Sequence, residues 1–300
     1  MAIIKSFDEL NRQVIELAKK QTCPGSAIII SDDDHNLKSI QQLTEDRVLR
    51  SLFIGAGDSA DDNNSFIKAA DIINALSRTL GMANDKQIDL IVLDENYLTD
   101  FLKMAQNKSS GFITSDRILS HAAVFEHEVY HKTFMLCDAF VNSHPDLIDK
   151  VKIIKNAVGL SKILGVELPK AAILAAVEKV HQGMAVTIEA ERLKSMNIEG
   201  EIDGCLIDGP LSMDCAMIKK VAEDKGVASE VAGDPDILIA PDINVANAIY
   251  HAITKIGQAK MGSLIIGGSV PVALLHSNNI KENAINSLML GSYYSLISNN

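Results

Sequence analysis

The chain has few of the residues on which several large classes of protein depend. Only 4% of its 300 residues are aromatic and tryptophan is absent, so a stacking platform for single-stranded nucleic acid is not expected. The net charge of −11 also argues against general nucleic-acid binding, which needs a basic surface. An acidic protein can still bind an anion locally, because a loop or a helix N-terminus supplies main-chain N–H donors.

Cysteine is scarce, and long apolar runs are missing. Cys23, Cys137, Cys205 and Cys215 are scattered without the spacing of a metal site. We expect them to be reduced and buried, since a free cysteine behaves as a small hydrophobe. No segment is typical of a signal peptide, and the apolar runs are too short to span a bilayer. The sequence therefore predicts a cytoplasmic protein without a membrane partner and without a bound metal.

Short apolar runs and amphipathic segments alternate along the chain. Hydrophobic residues make up 47% and charged residues 22%, which is ordinary for a globular protein. The patterns predict strands at 27–30, 49–54, 88–93, 123–125, 133–136 and 171–174. They predict helices at 8–19, 66–80 with Gly81 as the C-cap, 145–165 and 186–196. Such alternation predicts an α/β fold with mainly parallel strands.

The last third of the chain repeats this pattern with a distinctive ending. Apolar runs at 236–240 and 263–266 flank an amphipathic segment that begins near Asn244, which predicts a strand, a crossover helix and a parallel strand. The second run ends in Gly267, Gly268 and Ser269. Glycines let main-chain N–H groups approach a phosphate closely. A tight turn between buried elements would use the same residues.

The order of several segments carries a family resemblance. The stretch 203–214 reads DGCLIDGPLSMD, and it is followed by EVAG at 230–233, the run at 236 and the glycine loop. This order resembles the phosphate acyltransferase family, and its phosphate butyryltransferase branch most closely. The blocks at 119–126 and 137–142 agree with it. The resemblance covers the chain from about Ser120 to the C-terminus.

The resemblance implies a reaction and an architecture. The reaction would be butyryl-CoA plus phosphate to butyryl phosphate plus coenzyme A, with acyl-CoA and phosphate as ligands and no permanently bound cofactor. The architecture would be two α/β domains with a cleft between them, similar to isocitrate and isopropylmalate dehydrogenases. The first domain would comprise 1–125 and 270–300. The second, 126–269, would form a homodimer.

The residues after the glycine loop depart from the family. The family continues with PVVL and then TSRAD, whereas here PVAL at 271–274 is followed by LHSNN. His276, Ser277 and Asn279 thus occupy the family's serine, arginine and aspartate positions, and they are the candidate catalytic residues. Ser277 has no guanidinium to bind phosphate, and Asn279 cannot act as a base. Weak turnover is therefore expected. The alternative is a catalytically degenerate paralogue that keeps the fold and can keep coenzyme A binding as a partner subunit.

Other residues are candidates for binding the substrates, and each has a structural alternative. His276 could take a thiol proton or simply pack beside its loop. Leu93 and Asp94 stand where the family has Lys-Gly, and Glu178 matches a family glutamate whose role we leave open. The predicted substrate-binding residues are Gly267, Gly268, Ser269, Ser120, His121, Asp208, Asn247 and Arg117. The alternatives are a turn held by His121 or Asp208, a helix-to-loop bond from Asn247, and a surface position for Arg117.

Overall fold

The computed structural model describes residues 3–21, 24–29, 37–55, 65–113, 116–276 and 281–298. Chain contacts divide it into two compact units: a terminal unit, 6–119 with 260–300, and a middle unit, 1–5 with 120–259. Compared with the predicted division, residues 1–5, 120–125 and 260–269 lie in the other unit.

The terminal unit contains a mostly parallel sheet. Its strands are β1 (Gly25–Ile29), β2 (Arg50–Gly55), β3 (Ser65–Lys68), β4 (Leu90–Asp94), β10 (Lys260–Ile266) and β11 (Val272–Leu275). Their order is β3-β2-β1-β4-β11-β10. β11 runs parallel to β4 and antiparallel to β10, so β10 and β11 form a hairpin. The central strands are buried along almost their whole length, as expected where helices cover both faces of a parallel sheet.

Side-chain caps set where helices of this unit begin. The helices are α1 (Phe7–Lys20), α2 (Leu37–Glu45), α3 (Ile72–Asn84), α4 (Leu98–Ala105) and α10 (Lys281–Ser298). Ser6 Oγ accepts the N–H of Glu9 at 3.2 Å, and Asp71 Oδ1 accepts that of Asn74 at 2.8 Å. These bonds satisfy N–H groups that have no partner inside the helix. α10 packs against β10 and β11, and α1 packs on α10.

The middle unit also contains a mostly parallel sheet. Its strands are β5 (Ser120–Glu126), β6 (Phe134–Cys137), β7 (Lys170–Leu174), β8 (Leu206–Leu211) and β9 (Ile237–Ile239). Their order is β5-β6-β9-β7-β8. β5 runs antiparallel to β6, whereas β6, β9, β7 and β8 are parallel. Its helices are α5 (Leu147–Ile163), α6 (Ala185–Ile198), α7 (Met213–Met217), α8 (Lys219–Asp224) and α9 (Ile243–His251).

The predicted α/β class with mainly parallel strands is confirmed, but two local predictions are wrong. Instead of a helix over 66–80, Ser65–Lys68 pairs with β2 as a strand, and the helix begins after its cap at Asp71. Gly81 lies inside α3, which continues to Asn84. Pairing with a neighbouring strand outweighed the local helical pattern, as tertiary context commonly does.

The second wrong prediction is the strand–helix–strand unit of the last third. β9 lies between β6 and β7 in the middle unit, whereas β10 pairs with β11 in the terminal unit. The two strands therefore belong to different units, although the helix between them, α9, is present. Periodicity identifies a strand but not the neighbours with which it pairs.

The sequence also made predictions about cysteines, membrane spans and metal sites. Cys137, Cys205 and Cys215 are free and buried, while Cys23 lies outside the described residues. Within the described ranges, no helix is long and apolar enough to cross a membrane. The same part of the chain contains no group of three or more His, Cys, Asp or Glu that could hold a metal ion.

Candidate functional site

Two polar residues meet where β4 and β11 of the terminal unit end. Glu95 follows β4 directly and His276 follows β11 directly. The strands are parallel neighbours with Leu275 opposite Asp94, so the next residues on both strands emerge side by side. This carboxyl edge is where open α/β sheets bind ligands.

His276 is held on both ring nitrogens. Its Nδ1 lies 2.7 Å from Glu95 Oε2, and its Nε2 lies 3.3 Å from Ser263 Oγ. Because an ionised carboxylate only accepts hydrogen bonds, Nδ1 carries the proton and Nε2 can accept the serine hydroxyl. The His276 side chain is 6% exposed and that of Glu95 is 31% exposed. The glutamate is therefore the member of the pair that a ligand can reach.

The other two candidate catalytic residues follow His276 in the sequence. Ser277 and Asn279 lie outside the described residues, so the geometry of the candidate catalytic loop rests on His276 alone.

The glycine loop lies at the opposite edge of the terminal sheet. Gly267, Gly268 and Ser269 join β10 to β11 and so precede β11, whereas His276 follows it. Four strand residues at about 3.3 Å each separate the two ends by roughly 13 Å. The structure therefore does not bring the loop and His276 together.

Contacts with Phe112 explain the residue types in this loop. The N–H of Ser269 donates to the Phe112 carbonyl at 2.9 Å, and its hydroxyl donates to Asn84 Oδ1 at 2.9 Å. A Cβ atom at Gly268 would lie 2.2 Å from the Phe112 ring. The close approach that requires glycine here is thus that of an aromatic ring, and the Ser269 N–H already has a partner.

Arg117 lies beside the glycine loop rather than beside His276. Arg117 and the glycine loop line a cavity of about 750 Å³, together with Lys86 and Tyr294. Burial raises the pKa of Tyr294, and the charge of Arg117 opposes that rise. The structure thus brings four predicted residues together: Gly267, Gly268, Ser269 and Arg117.

In the middle unit, the start of β5 lies beside the end of β6, because the two strands are antiparallel. Ser120 and His121 are completely buried there. The His121 ring packs edge-on against Phe140, with ring centroids 4.7 Å apart. Ser120 Oγ accepts a hydrogen bond from Asn156 Nδ2 at 2.9 Å. Both predicted residues thus take part in packing.

Asp138, which belongs to the family block at 137–142 but was not among the predicted site residues, occupies the same edge. Its carboxylate accepts the N–H groups of Phe140 and Val141 at 3.1 and 3.0 Å, and Asn142 Nδ2 at 2.6 Å. Burial nevertheless outweighs these donors and raises the pKa of Asp138 to about 6. The signal in the sequence was its place two residues after the apolar run at 133–136, directly after Cys137.

The remaining predicted residues have structural partners. Asp208 accepts Lys194 Nζ at 2.8 Å and the N–H of Gly209 at 2.8 Å. This bond from Asp208 raises the pKa of Lys194. Asn247 Nδ2 donates to the Ala139 carbonyl at 3.4 Å, a helix-to-loop bond of the kind described above as the structural alternative.

Glu178 belongs to a polar cluster just beyond the ends of β7 and β8. It accepts Lys225 Nζ at 2.7 Å and the Ser212 hydroxyl. These bonds lower the pKa of Glu178, so it is held ionised.

The fold and these edges define an α/β protein with polar groups at the carboxyl ends of its strands. A family model described as phosphate acetyl/butaryl transferase matches residues 112–291. A phosphate butyryltransferase from Clostridium acetobutylicum is 29% identical over 300 residues, covering 97% of this chain and 98% of the relative. One from Clostridium beijerinckii is 31% identical over 298 residues, covering 96% and 97%.

A solved structure is similar in fold. A branched-chain phosphotransacylase from Enterococcus faecalis V583 superposes with a TM-score of 0.81 at 23% identity, covering 91% of this chain and 99% of that one. From the family match and the Clostridium beijerinckii relative, the chain belongs to the phosphate acetyl/butaryl transferase family.

Proposed function

We propose that this chain exchanges coenzyme A and inorganic phosphate on a short-chain acyl group, converting butyryl-CoA and phosphate into butyryl phosphate and coenzyme A. The observation that carries the proposal is its similarity over nearly the full length to two phosphate butyryltransferases. Acyl-CoA and phosphate are then substrates, and no permanently bound cofactor is needed.

The reaction makes three demands on the protein. The attacking thiol must lose its proton, the developing oxyanion needs fixed donors, and both substrates must be held in line. We propose that the reaction takes place at the end of β11, where His276 lies and after which Ser277 and Asn279 follow in the sequence. The support for this is the position of His276 at the carboxyl edge, beside a partly exposed carboxylate.

We propose that the other predicted residues act away from the reacting atoms. Gly267, Gly268, Ser269 and Arg117 would bind an anionic part of a substrate, supported by the cavity that they line with Lys86.

A second group would shape the site from the middle unit. His121 packs on Phe140 and Asn247 bonds Ala139, so both hold the turn that contains Asp138. We propose that they position this turn, with Ser120 fixing the neighbouring strand β5 and Asp208 fixing β8, farther along the same sheet.

We further propose a cytoplasmic homodimer that forms through the middle unit, with the substrates in a cleft of the isocitrate dehydrogenase type. Free cysteines suit a reducing compartment, and Cys137, Cys205 and Cys215 are free. The middle unit also presents exposed apolar side chains that a partner could cover, among them Val129, Ile148, Ile198 and Ile256.

The test is release of free thiol from butyryl-CoA with and without phosphate. Release that depends on phosphate is the expected result, with butyryl phosphate as the second product. Equal release without phosphate would indicate hydrolysis and contradict the proposal. No release, with coenzyme A still bound in calorimetry, would favour the degenerate binding subunit instead.

A further inference from the structure

Glu95 is the accessible acidic group at the carboxyl edge of the terminal sheet. Its side chain is 31% exposed, while that of His276 is 6% exposed and engaged on both nitrogens. A ligand at this edge therefore meets the carboxylate before it meets the imidazole.

The sequence around this edge also lacks the base that its family resemblance leads one to expect. Asn279 stands where the resemblance places an aspartate, and an amide cannot take a proton. Glu95 comes from the neighbouring parallel strand and reaches the same edge, because Asp94 lies opposite Leu275 in the register. A carboxylate is thus available at this edge from β4 when the loop after β11 supplies none.

We propose that Glu95 is the general base that takes the thiol proton of coenzyme A, and that His276 is the positioning residue that holds it. This inference rests on the proposed function. In the direction that consumes acyl phosphate, a Glu95 oxygen accepts the thiol proton as sulfur bonds to the acyl carbon. The bond from that carbon to the phosphate oxygen then breaks, and the proton leaves with the phosphate as hydrogen phosphate. In the reverse direction Glu95 returns a proton to the departing thiolate.

His276 contributes by fixing the direction of the carboxylate. Its Nδ1–H donates to Oε2, and its own ring is fixed by Ser263 on the buried strand β10. A base held in one orientation loses less freedom when the thiol arrives, and general-base catalysis is typically worth about 10²- to 10⁴-fold in rate.

Replacement of Glu95 by glutamine tests the proposal, because it keeps an acceptor for His276 but removes the base. We expect Glu95→Gln to lower kcat about 100-fold or more, with KM for butyryl-CoA and phosphate within about threefold of the wild type. Asp100→Asn is the matched control: it removes an exposed carboxylate of α4, which forms an ion pair with Lys103 on the same helix. Its kcat should match that of the wild type.

A second variant separates the base from its support and guards against misfolding. His276→Gln retains a donor toward Glu95, so it should keep more kcat than Glu95→Gln, with thermal melting showing that both variants are folded. The reverse order would make His276 the base and overturn the assignment of Glu95.

The wild type assayed in parallel distinguishes the two levels of the argument. If the wild type shows phosphate-dependent release and folded Glu95→Gln keeps its kcat, the role of Glu95 is overturned while the proposed function stands. If the wild type shows none, the proposed function fails and the role of Glu95 fails with it.

Discussion

Acidic side chains at the two edges of each sheet have different surroundings. In the middle unit, Asp138 at the carboxyl edge is surrounded by uncharged donors, and its pKa is raised to about 6. Asp234, just before β9 at the amino edge, contacts Lys132 at 2.9 Å and Lys170 at 2.6 Å. Burial works to raise the pKa of Asp234, but hydrogen bonds and charge from those lysines outweigh it and hold the pKa well below its usual value.

The terminal unit shows a similar contrast. At its carboxyl edge, partly exposed Glu95 is held by a buried histidine. At its amino edge, Asp89 accepts the N–H of Gly25 at 2.8 Å, and Gly268 makes room for Phe112. These amino-edge residues thus form ion pairs and close packing that fix structure. The carboxyl edges hold an ion pair too, between Glu178 and Lys225, but they also hold Asp138, whose pKa is raised, and Glu95, which is partly exposed. That difference is what makes the carboxyl edges the better candidates for chemistry.

The largest expected effect concerns the pH dependence of stability. Burial raises the pKa of Asp138 to about 6 in the folded protein, against an ordinary value of 3.8. The folded state therefore binds the proton more tightly, and the stability that this group contributes is fully present below 3.8 and lost as pH rises through 6. It amounts to about 3 kcal/mol at 1.36 kcal/mol per pH unit. Urea unfolding from pH 4 to 7 should show the wild type losing this advantage over Asp138→Asn.

Asp234→Asn is the matched comparison from the amino edge. Its carboxylate has a lowered pKa, so its contribution is present above 3.8 and is lost as pH falls toward its folded pKa. The two variants should therefore change the pH dependence with opposite signs. The same sign for both would contradict the contrast between the edges.

The next effect compares two histidines that each contact a carboxylate. His276 lies 2.7 Å from Glu95 at a carboxyl edge, and His131 lies 2.8 Å from Asp234 at an amino edge. We expect His276→Ala to lower kcat about thirtyfold, or about 2 kcal/mol in the barrier, because Glu95 loses its support. His131→Ala should leave kcat unchanged in the thiol-release assay. Equal losses in both variants would show that position at the sheet does not matter.

A smaller effect is expected for packing at the amino edge. Gly268→Ala places a methyl group against the Phe112 ring, and overpacking of this kind typically costs about 1–3 kcal/mol. Gly81→Ala is the control, since a Cβ there meets nothing within 4 Å and α3 is helical at that point. The melting temperature should fall for Gly268→Ala and should stay level or rise for Gly81→Ala. An unchanged melting temperature in Gly268→Ala would indicate that the loop has free space beside Phe112, which a ligand could occupy.

The smallest effect is expected at the cavity beside the glycine loop. Arg117→Ala removes a cation from the cavity that the glycine loop lines. That loop and His276 lie at opposite ends of β11, roughly 13 Å apart along the strand. If Arg117 binds a part of a substrate away from the reacting atoms, KM should rise a few-fold with kcat unchanged. Lys103→Ala, an exposed lysine of α4, is the control for general loss of charge. A large fall in kcat for Arg117→Ala would place the reacting phosphate at the amino edge and reverse the comparison.

Much of this structure was predictable because the signals are local. Apolar runs identified β4 and β7. Asp146 is the N-cap of α5, where its side chain accepts the N–H of Asp149 at 2.8 Å, so the helix begins close to where the pattern predicted it. The edge strand at Ser65–Lys68 was not predictable in this way, because a short apolar run becomes a strand only when a neighbour offers a free edge.

The candidate site was predictable only in part. Its resemblance pointed to His276 and His121, but both turned out to be buried, and their exposed or titrating neighbours, Glu95 and Asp138, had no distinguishing pattern. Each is an acidic residue shortly after an apolar run, and the sequence contains many of those. Proximity to a histidine or enclosure by main-chain donors gives each its character, and both come from parts of the chain that are distant or turned back on themselves.

The sequence by itself determined the α/β class, the burial of the cysteines that lie in apolar runs, and the family. Each of these depends on composition, local periodicity or segment order. The tertiary structure alone decided which strand ends lie at the same edge. It separated Gly268 from His276, although the two are only eight positions apart in the sequence. Gly268 lies in the turn of the β10–β11 hairpin and His276 follows β11, so the two stand at opposite ends of that strand. It joined Glu95 to His276 across 181 positions, because parallel strands deliver their carboxyl ends to one line regardless of the length of chain between them.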